Sequence, residues 1–129
     1  MPMNPSEEKY DLVIVKDLVK YFPIRAGVLQ RVKAHVQAVD KVSFSVKEGE
    51  TLGMVGESGC GKTTVGRAIL RLIEPTSGSV FINGEDIVQM RSQSLKQARR
   101  NMQMIFQDPY ASLNPRLPIG ESVMEGLHI

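Results

Sequence analysis

The stretch Thr51-Leu52-Gly53-Met54-Val55-Gly56-Glu57-Ser58-Gly59-Cys60-Gly61-Lys62-Thr63-Thr64 decides how this chain is read. Residues 56–63 satisfy the pattern G-x-x-x-x-G-K-[ST], and each fixed position has a physical reason. Gly56, Gly59 and Gly61 admit backbone conformations that a Cβ makes costly. Successive N–H groups can then turn inward around an anion. A helix starting near Gly61 adds unpaired N–H groups and the positive end of its dipole. Lys62 supplies an ammonium for the β- and γ-phosphates of a nucleoside triphosphate, and the Thr63 hydroxyl is placed for Mg²⁺. Thr64 offers a further hydrogen bond, while Glu57, Ser58 and Cys60 complete the loop. The expected ligand is ATP. Cys60 has two readings: a thiol activated near a helix N-terminus, or a small space-filling residue.

The flanks agree with the loop. Residues 51–55 read as a short apolar strand running into it. After it, Val65, Ala68, Ile69, Leu72 and Ile73 recur at i, i+3, i+4, i+7 and i+8, which predicts a helix with one apolar stripe, closed by Pro75 and Gly78. Upstream, Leu12 to Val15, continued by Leu18 and Val19, predicts a strand that ends at Tyr21-Phe22-Pro23, because proline cannot donate to a ladder. Residues 24–35 read as a basic, irregular connection. Val36, Ala38, Val42, Phe44 and Val46 then show the period-two pattern of a strand with one buried face. Downstream, Ser79 to Ile82 predicts a strand followed by an Asn83-Gly84 tight turn. Residues 94–101 predict a basic helix, Met102 to Phe106 a strand-like run, and Gly120 to Ile129 the start of another helix.

Bulk properties add little beyond exclusions. A chain of 129 residues suits one domain at most. With 16 basic and 14 acidic side chains, the surplus is too small to argue for nucleic acid or an anionic membrane. The local cluster Lys96, Arg99 and Arg100 reads as a solvated helix face. One cysteine cannot form an internal disulfide, which suits a reducing cytoplasm. No apolar run approaches the ~18 residues needed to span a bilayer. Hydrolysis would need an acidic residue at a strand end. Asp108, after Met104 to Gln107, is either that metal-linked aspartate or an ordinary loop residue.

These residues resemble the ATP-binding subunits of ABC transporters, nearest to the oligopeptide and dipeptide importer branch. Residues 56–64 are similar to that family's Walker A loop. Phe106-Gln107-Asp108-Pro109-Tyr110-Ala111-Ser112-Leu113-Asn114-Pro115-Arg116 resembles its Q-loop and the segment after it. The likeness runs over roughly residues 10–129. It implies that Gln107 is the Q-loop glutamine, near Mg²⁺ and the attacking water, so that Lys62 and Gln107 are the catalytic candidates and Thr63 and Gln107 the metal candidates. It implies that Tyr21 stacks on adenine, against the alternative of an aromatic packing on the core. The basic connection at 24–37 also resembles the second ATPase of peptide importers, with His35 a solvated loop residue.

The resemblance implies an α/β fold: an incomplete P-loop NTPase core, an N-terminal antiparallel β-subdomain and the start of a helical subdomain. The division would be a loose tail over 1–10, β-subdomain and core over 11–93, and the Q-loop region over 94–129. The family's LSGGQ signature, Walker B strand with its catalytic glutamate, D-loop and switch histidine would lie beyond Ile129, and His128 is not that histidine. The expected function is powering import of peptides, or of a related solute such as nickel. The expected partners are membrane permeases and a second ATP-binding cassette, with no nucleic acid and membrane contact only through the permeases. That places the protein in the cytoplasm, on the inner face of the cell membrane. The alternatives are a nucleotide-binding piece that does not hydrolyse, or a non-transport cassette resembling the phosphonate-degradation ATPase. Exposed core surface and poor solubility are expected of the isolated chain.

Overall fold

The computed structural model describes residues 10–26, 31–108 and 114–125. Its backbone is a four-stranded antiparallel sheet in the order β2-β1-β3-β4, with β1 at Asp11–Ala26, β2 at Arg31–Lys47, β3 at Ser77–Ile82 and β4 at Glu85–Asp86. Helix α1, Lys62–Ile69, packs on this sheet, and α2, Ser92–Ala98, and α3, Ile119–Glu125, follow. The antiparallel β-subdomain, the helix after the loop, the Asn83-Gly84 turn and the basic helix are as the sequence predicts. The expectations for 1–9, for 27–30 within the basic connection, for Pro109 to Leu113 and for 126–129 lie outside the described residues.

The core is where β1, β2, β3 and α1 meet: Val15, Leu18, Val39, Val65, Ala68 and Val80 are buried together. Burying the valine and leucine side chains among them contributes about 1.5–3 kcal/mol each. Leu18 reaches this face through a bulge. Lys16 pairs with Ser79 and Val19 with Ser77, so one residue of β1 is extra, and Asp17 takes a left-handed φ of 45°. The Asp17 N–H donates instead to the Ser43 hydroxyl at 2.8 Å. Gly78 lies against the bulge. A Cβ there would stand 2.5 Å from the Asp17 carbonyl oxygen, and its φ is already 97°.

Four expectations change. First, β1 continues through Pro23, which pairs with His35, so 24–26 and 31–35 are strand and not irregular connection, and His35 is an exposed strand residue. The β1–β3 ladder reaches only Val19, and the Tyr21 N–H donates to the Thr76 hydroxyl on that side. Position 23 points its nitrogen the same way, off the ladder with β2, where a proline is tolerated. Second, the period-two pattern of β2 is interrupted. Leu18 pairs with Val42, Lys20 with Val39 and Tyr21 with Gln37, so β2 has extra residues near Lys41 and at Ala38. Those shifts turn Val39 into the core, 4% exposed, and leave Val36 half out of it.

Third, α1 stops at Ile69, before Pro75. Arg71 adopts a φ of 50°, its N–H donates to the Ala68 carbonyl, and the Leu72 N–H donates to the Arg67 carbonyl at 2.8 Å. That is a Schellman end, usually made by glycine. Arg71 is held there by its guanidinium, which donates to Glu74 and to the Ile87 and Met90 carbonyls. Arg99 donates to the Arg71 carbonyl at 2.6 Å, so it ties the turn after α2 to the end of α1 and is not merely solvated. Fourth, residues 51–55 and 102–106 form no strand. A strand exists by its ladder, and no described segment pairs with either run.

Candidate nucleotide site

The loop at 56–61 sits between the end of the 51–55 segment and the first turn of α1. Gly59 and Gly61 have φ of 83° and 94°, the left-handed conformations the motif demands. Gly56 is needed for space: a Cβ there would stand 2.5 Å from the Cys60 sulfur. Gly61 meets both constraints, since a Cβ would also run into the Ala38 carbonyl oxygen of β2. The bulge at Ala38 is therefore what brings the sheet against the loop.

Gly61 caps α1, and its carbonyl accepts the Val65 N–H at 2.9 Å. The N–H groups of the first helical turn have no acceptor within the helix. They and the loop amides are available to an anion. Lys62 curls back over the loop. Its ammonium donates to the Gly56 carbonyl at 2.6 Å and the Glu57 carbonyl at 2.7 Å, with the Cys60 sulfur 3.4 Å away. Those contacts hold a positive charge at the centre of the loop. Cys60 is exposed, and its N–H closes the turn on the Glu57 carbonyl at 3.2 Å.

A pocket of ≈ 230 Å³ opens over this loop, lined by Ala38, Ser58, Gly59, Gly61, Lys62, Thr63, Thr64 and Gln107. A larger cavity of ≈ 570 Å³ adjoins it through Lys62, Thr63 and Gln107, and adds Met54, Arg67, Met104, Ile105, Phe106 and Asp108. The structure thus brings Gln107 to Lys62 and Thr63 across 44 residues of sequence. Gly56, Glu57 and Cys60 frame the loop without lining the pocket. Asp108 reaches the larger cavity only. Several lining residues were not among the site candidates: Met54, Met104, Ile105 and Phe106 were expected only as parts of apolar runs or the Gln107 segment, and Arg67 and Ala38 were not linked to the site at all. Arg67 lies one helical turn after Thr63, a spacing that could have placed it on the same face. Ala38 carried no local signal, because a bulge set its position.

Tyr21 is not a lining residue of either cavity. It is half-buried on β1, and its hydroxyl donates to the Asp40 carboxylate at 2.7 Å. That hydrogen bond, with some burial and the Asp40 charge, holds the Tyr21 phenol above its ordinary pKa.

Among the described residues no group of three or more His, Cys, Asp or Glu side chains could hold a metal. Thr63 and Gln107, together in one pocket, supply a hydroxyl and an amide oxygen. This sparse oxygen set fits Mg²⁺, which keeps waters and takes much of its coordination from substrate phosphates. No helix among the described residues is long and apolar enough to cross a membrane.

Residues 39–126 match the profile of the ABC transporter family. The chain is 54% identical over 112 residues to the oligopeptide transport ATP-binding protein AppF of Bacillus subtilis, covering 86% of this chain and 34% of that protein. It is 55% identical over 113 residues to the glutathione import ATP-binding protein GsiA of Pectobacterium atrosepticum, covering 88% and 18%. A probable peptide ABC transporter ATP-binding protein, y4tS of Sinorhizobium fredii, is 53% identical over 114 residues, with 88% and 32% covered. The chain therefore spans about a third or less of these relatives. Its fold is similar to the ATP-binding cassette MJ0796 in a dimeric post-hydrolysis state bound to ADP and Pi. That comparison gives a TM-score of 0.70 at 28% identity, over 90% of this chain and 47% of the other.

Proposed function

Because the chain belongs to the ABC transporter family, we propose that residues 1–129 are the N-terminal portion of an ATP-binding subunit that powers import of peptides or a related small solute. The carrying observation is the meeting of Gln107 with Lys62 and Thr63 in one pocket over the loop. A Gly-rich loop explains phosphate binding by itself. A distant glutamine delivered to the same place belongs to a machine that responds to what the phosphates do. The relatives with oligopeptide and glutathione import in their names support the solute class.

In this reading Gly56 to Gly61 present backbone N–H groups to the phosphates, and Ser58 and Thr64 add hydroxyl donors. Lys62 shifts its ammonium from the Gly56 and Glu57 carbonyls to the β- and γ-phosphates. Both are charge-assisted hydrogen bonds, so the exchange costs little. Thr63 and Gln107 would hold Mg²⁺ together with the nucleotide, and the ion would supply charge neutralisation there. Gln107 orients water, and Tyr21 stacks on adenine. The division proposed is a tail over 1–10, β-subdomain and loop core over 11–93, and the Gln107 region over 94–129. A second cassette would complete the site from the opposite side, and permeases would hold the subunit at the cytoplasmic face of the membrane. Residues 1–129 by themselves bind nucleotide and do not turn it over.

Displacement of a fluorescent ATP analogue from the purified chain tests this reading. Gln107→Ala should leave affinity in EDTA unchanged and weaken the Mg²⁺-dependent increase by about threefold to tenfold, the loss of one coordinating hydrogen-bonding group. An identical Mg²⁺ response in both proteins would remove Gln107 from the site. Turnover of ATP by the purified chain, lost in Lys62→Ala, would contradict the statement on hydrolysis.

A further inference from the structure

Asp40 stands at the surface of β2 and has no place in the loop or in either cavity. Its carboxylate nevertheless accepts the Tyr21 hydroxyl at 2.7 Å, a charge-assisted hydrogen bond across neighbouring strands. Tyr21 is held at its other end as well, where its backbone N–H donates to the Thr76 hydroxyl at 3.0 Å. A tyrosine side chain has two torsions of its own. Fixing the backbone at one end and the hydroxyl at the other leaves the ring one orientation.

The location makes that restraint useful. Tyr21 pairs with Gln37, and the next residue of β2 is the extra Ala38 that lines the phosphate pocket and abuts Gly61. Residues 37–40 of β2 thus carry the partner of Tyr21 at one end and a wall of the phosphate pocket beside it. The backbone of Tyr21 is paired one residue away from the pocket wall at Ala38.

We propose that Asp40 is a positioning residue for the nucleotide base: its carboxylate holds the Tyr21 ring in the orientation that stacks on adenine, and so raises affinity for the base without touching the phosphates. This rests on the reading of Tyr21 as the adenine-stacking residue. Pre-orienting an aromatic platform lowers the conformational cost of binding. Because the pair is at the surface, the hydrogen bond contributes little to folding, so the expected signature is in selectivity and not in stability.

The test compares ATP with inorganic tripolyphosphate, which has the phosphates and no base, in displacement assays on the full 129-residue chain. Tyr21→Ala should weaken ATP binding by about tenfold, as expected for one base–aromatic stack, and leave tripolyphosphate unchanged. Asp40→Ala and Tyr21→Phe should each weaken ATP by about threefold to tenfold, the order of one freed side chain, again without effect on tripolyphosphate. Asp40→Asn, whose amide oxygen can still accept, should retain most of the wild-type affinity. If Tyr21→Ala leaves the ratio of the two affinities unchanged, the stacking reading fails and the role of Asp40 falls with it. If Tyr21→Ala changes the ratio and Asp40→Ala does not, the stack stands and the positioning role is overturned. Equal weakening of both ligands by Asp40→Ala would place its effect on the loop or the fold and would also overturn it.

Discussion

Val15 and Val55 each close a four-residue run, Leu12–Val15 and Leu52–Val55, yet the first is 1% exposed and the second 97%. Composition favours the first as a strand, with three β-branched residues against one and a glycine in the second, but pairing decides the outcome. Val15 pairs with Phe44 on one side and Val80 on the other, and α1 closes over the face it shares with Leu18. Residues 51–55 have no ladder on either side among the described residues, and Ile105 in the second unpaired run is 91% exposed. An apolar run nominates a strand, and neighbours able to exchange N–H and C=O bonds decide it. The chemistry lies at the junction of the two regions: the loop is carried on α1, which belongs to the packed side, while Gln107 arrives on the unpaired side.

That comparison can be broken most severely from the packed side. Leu18→Ala, at a residue 0% exposed, should cost about 3 kcal/mol or more in denaturant unfolding. A loss below about 1 kcal/mol would show that the sheet is not the stable unit. Gly78→Ala should follow at about 1–3 kcal/mol, since it combines a left-handed φ with an approach to the Asp17 carbonyl. Amide exchange should sharpen the contrast without mutation. The N–H groups of the β1–β3 ladder should be protected to near the global limit, and those of 51–55 and 102–106 should exchange with little protection. At the small end, Val55→Ala should change stability by no more than about 0.5 kcal/mol. A larger loss would mean that Val55 is packed in solution.

Much of the site was legible because its requirements are local. The spacing of Gly56, Gly61, Lys62 and Thr63 fixes a tight loop and a helix start without reference to the rest of the chain. Asn83-Gly84 was legible for the same reason, as a turn needing positive φ at both positions, observed at 52° and 79°. The bulges were not. Extra residues at Asp17 and Ala38 depend on how three strands accommodate one another, and a strict period of two hid Val39 from the core. The end of α1 was hidden as well. Arg71 makes a turn that sequence rules assign to glycine, and only its bonds to Glu74, Ile87 and Met90 account for it. The meeting of Gln107 with Lys62 came from the resemblance to ABC cassettes and from no pattern in the residues between.

A chemical test bears on the β1–β2 pairing. The Tyr21 phenol is raised above its ordinary pKa of 10.0 chiefly because its proton is donated to Asp40. A folded-state value above the unfolded one means a contribution that is present below about pH 10 and lost as pH rises through the folded value. Difference absorbance of the phenolate between wild type and Tyr21→Phe should show a late titration, and Asp40→Ala should move it earlier. Coincident curves would show that the two strands do not hold that bond in solution.

The central claim is that the loop at 56–63, carried by the packed half, is sufficient to hold nucleotide phosphates. Equilibrium binding of ATP to the purified chain, wild type against Lys62→Ala, tests it most directly. Removing a charged donor from the phosphates should weaken saturable binding by about tenfold to a hundredfold, with the unfolding midpoint of the two free proteins nearly equal. Equal affinity in the two proteins would contradict the claim and leave the loop a structural turn.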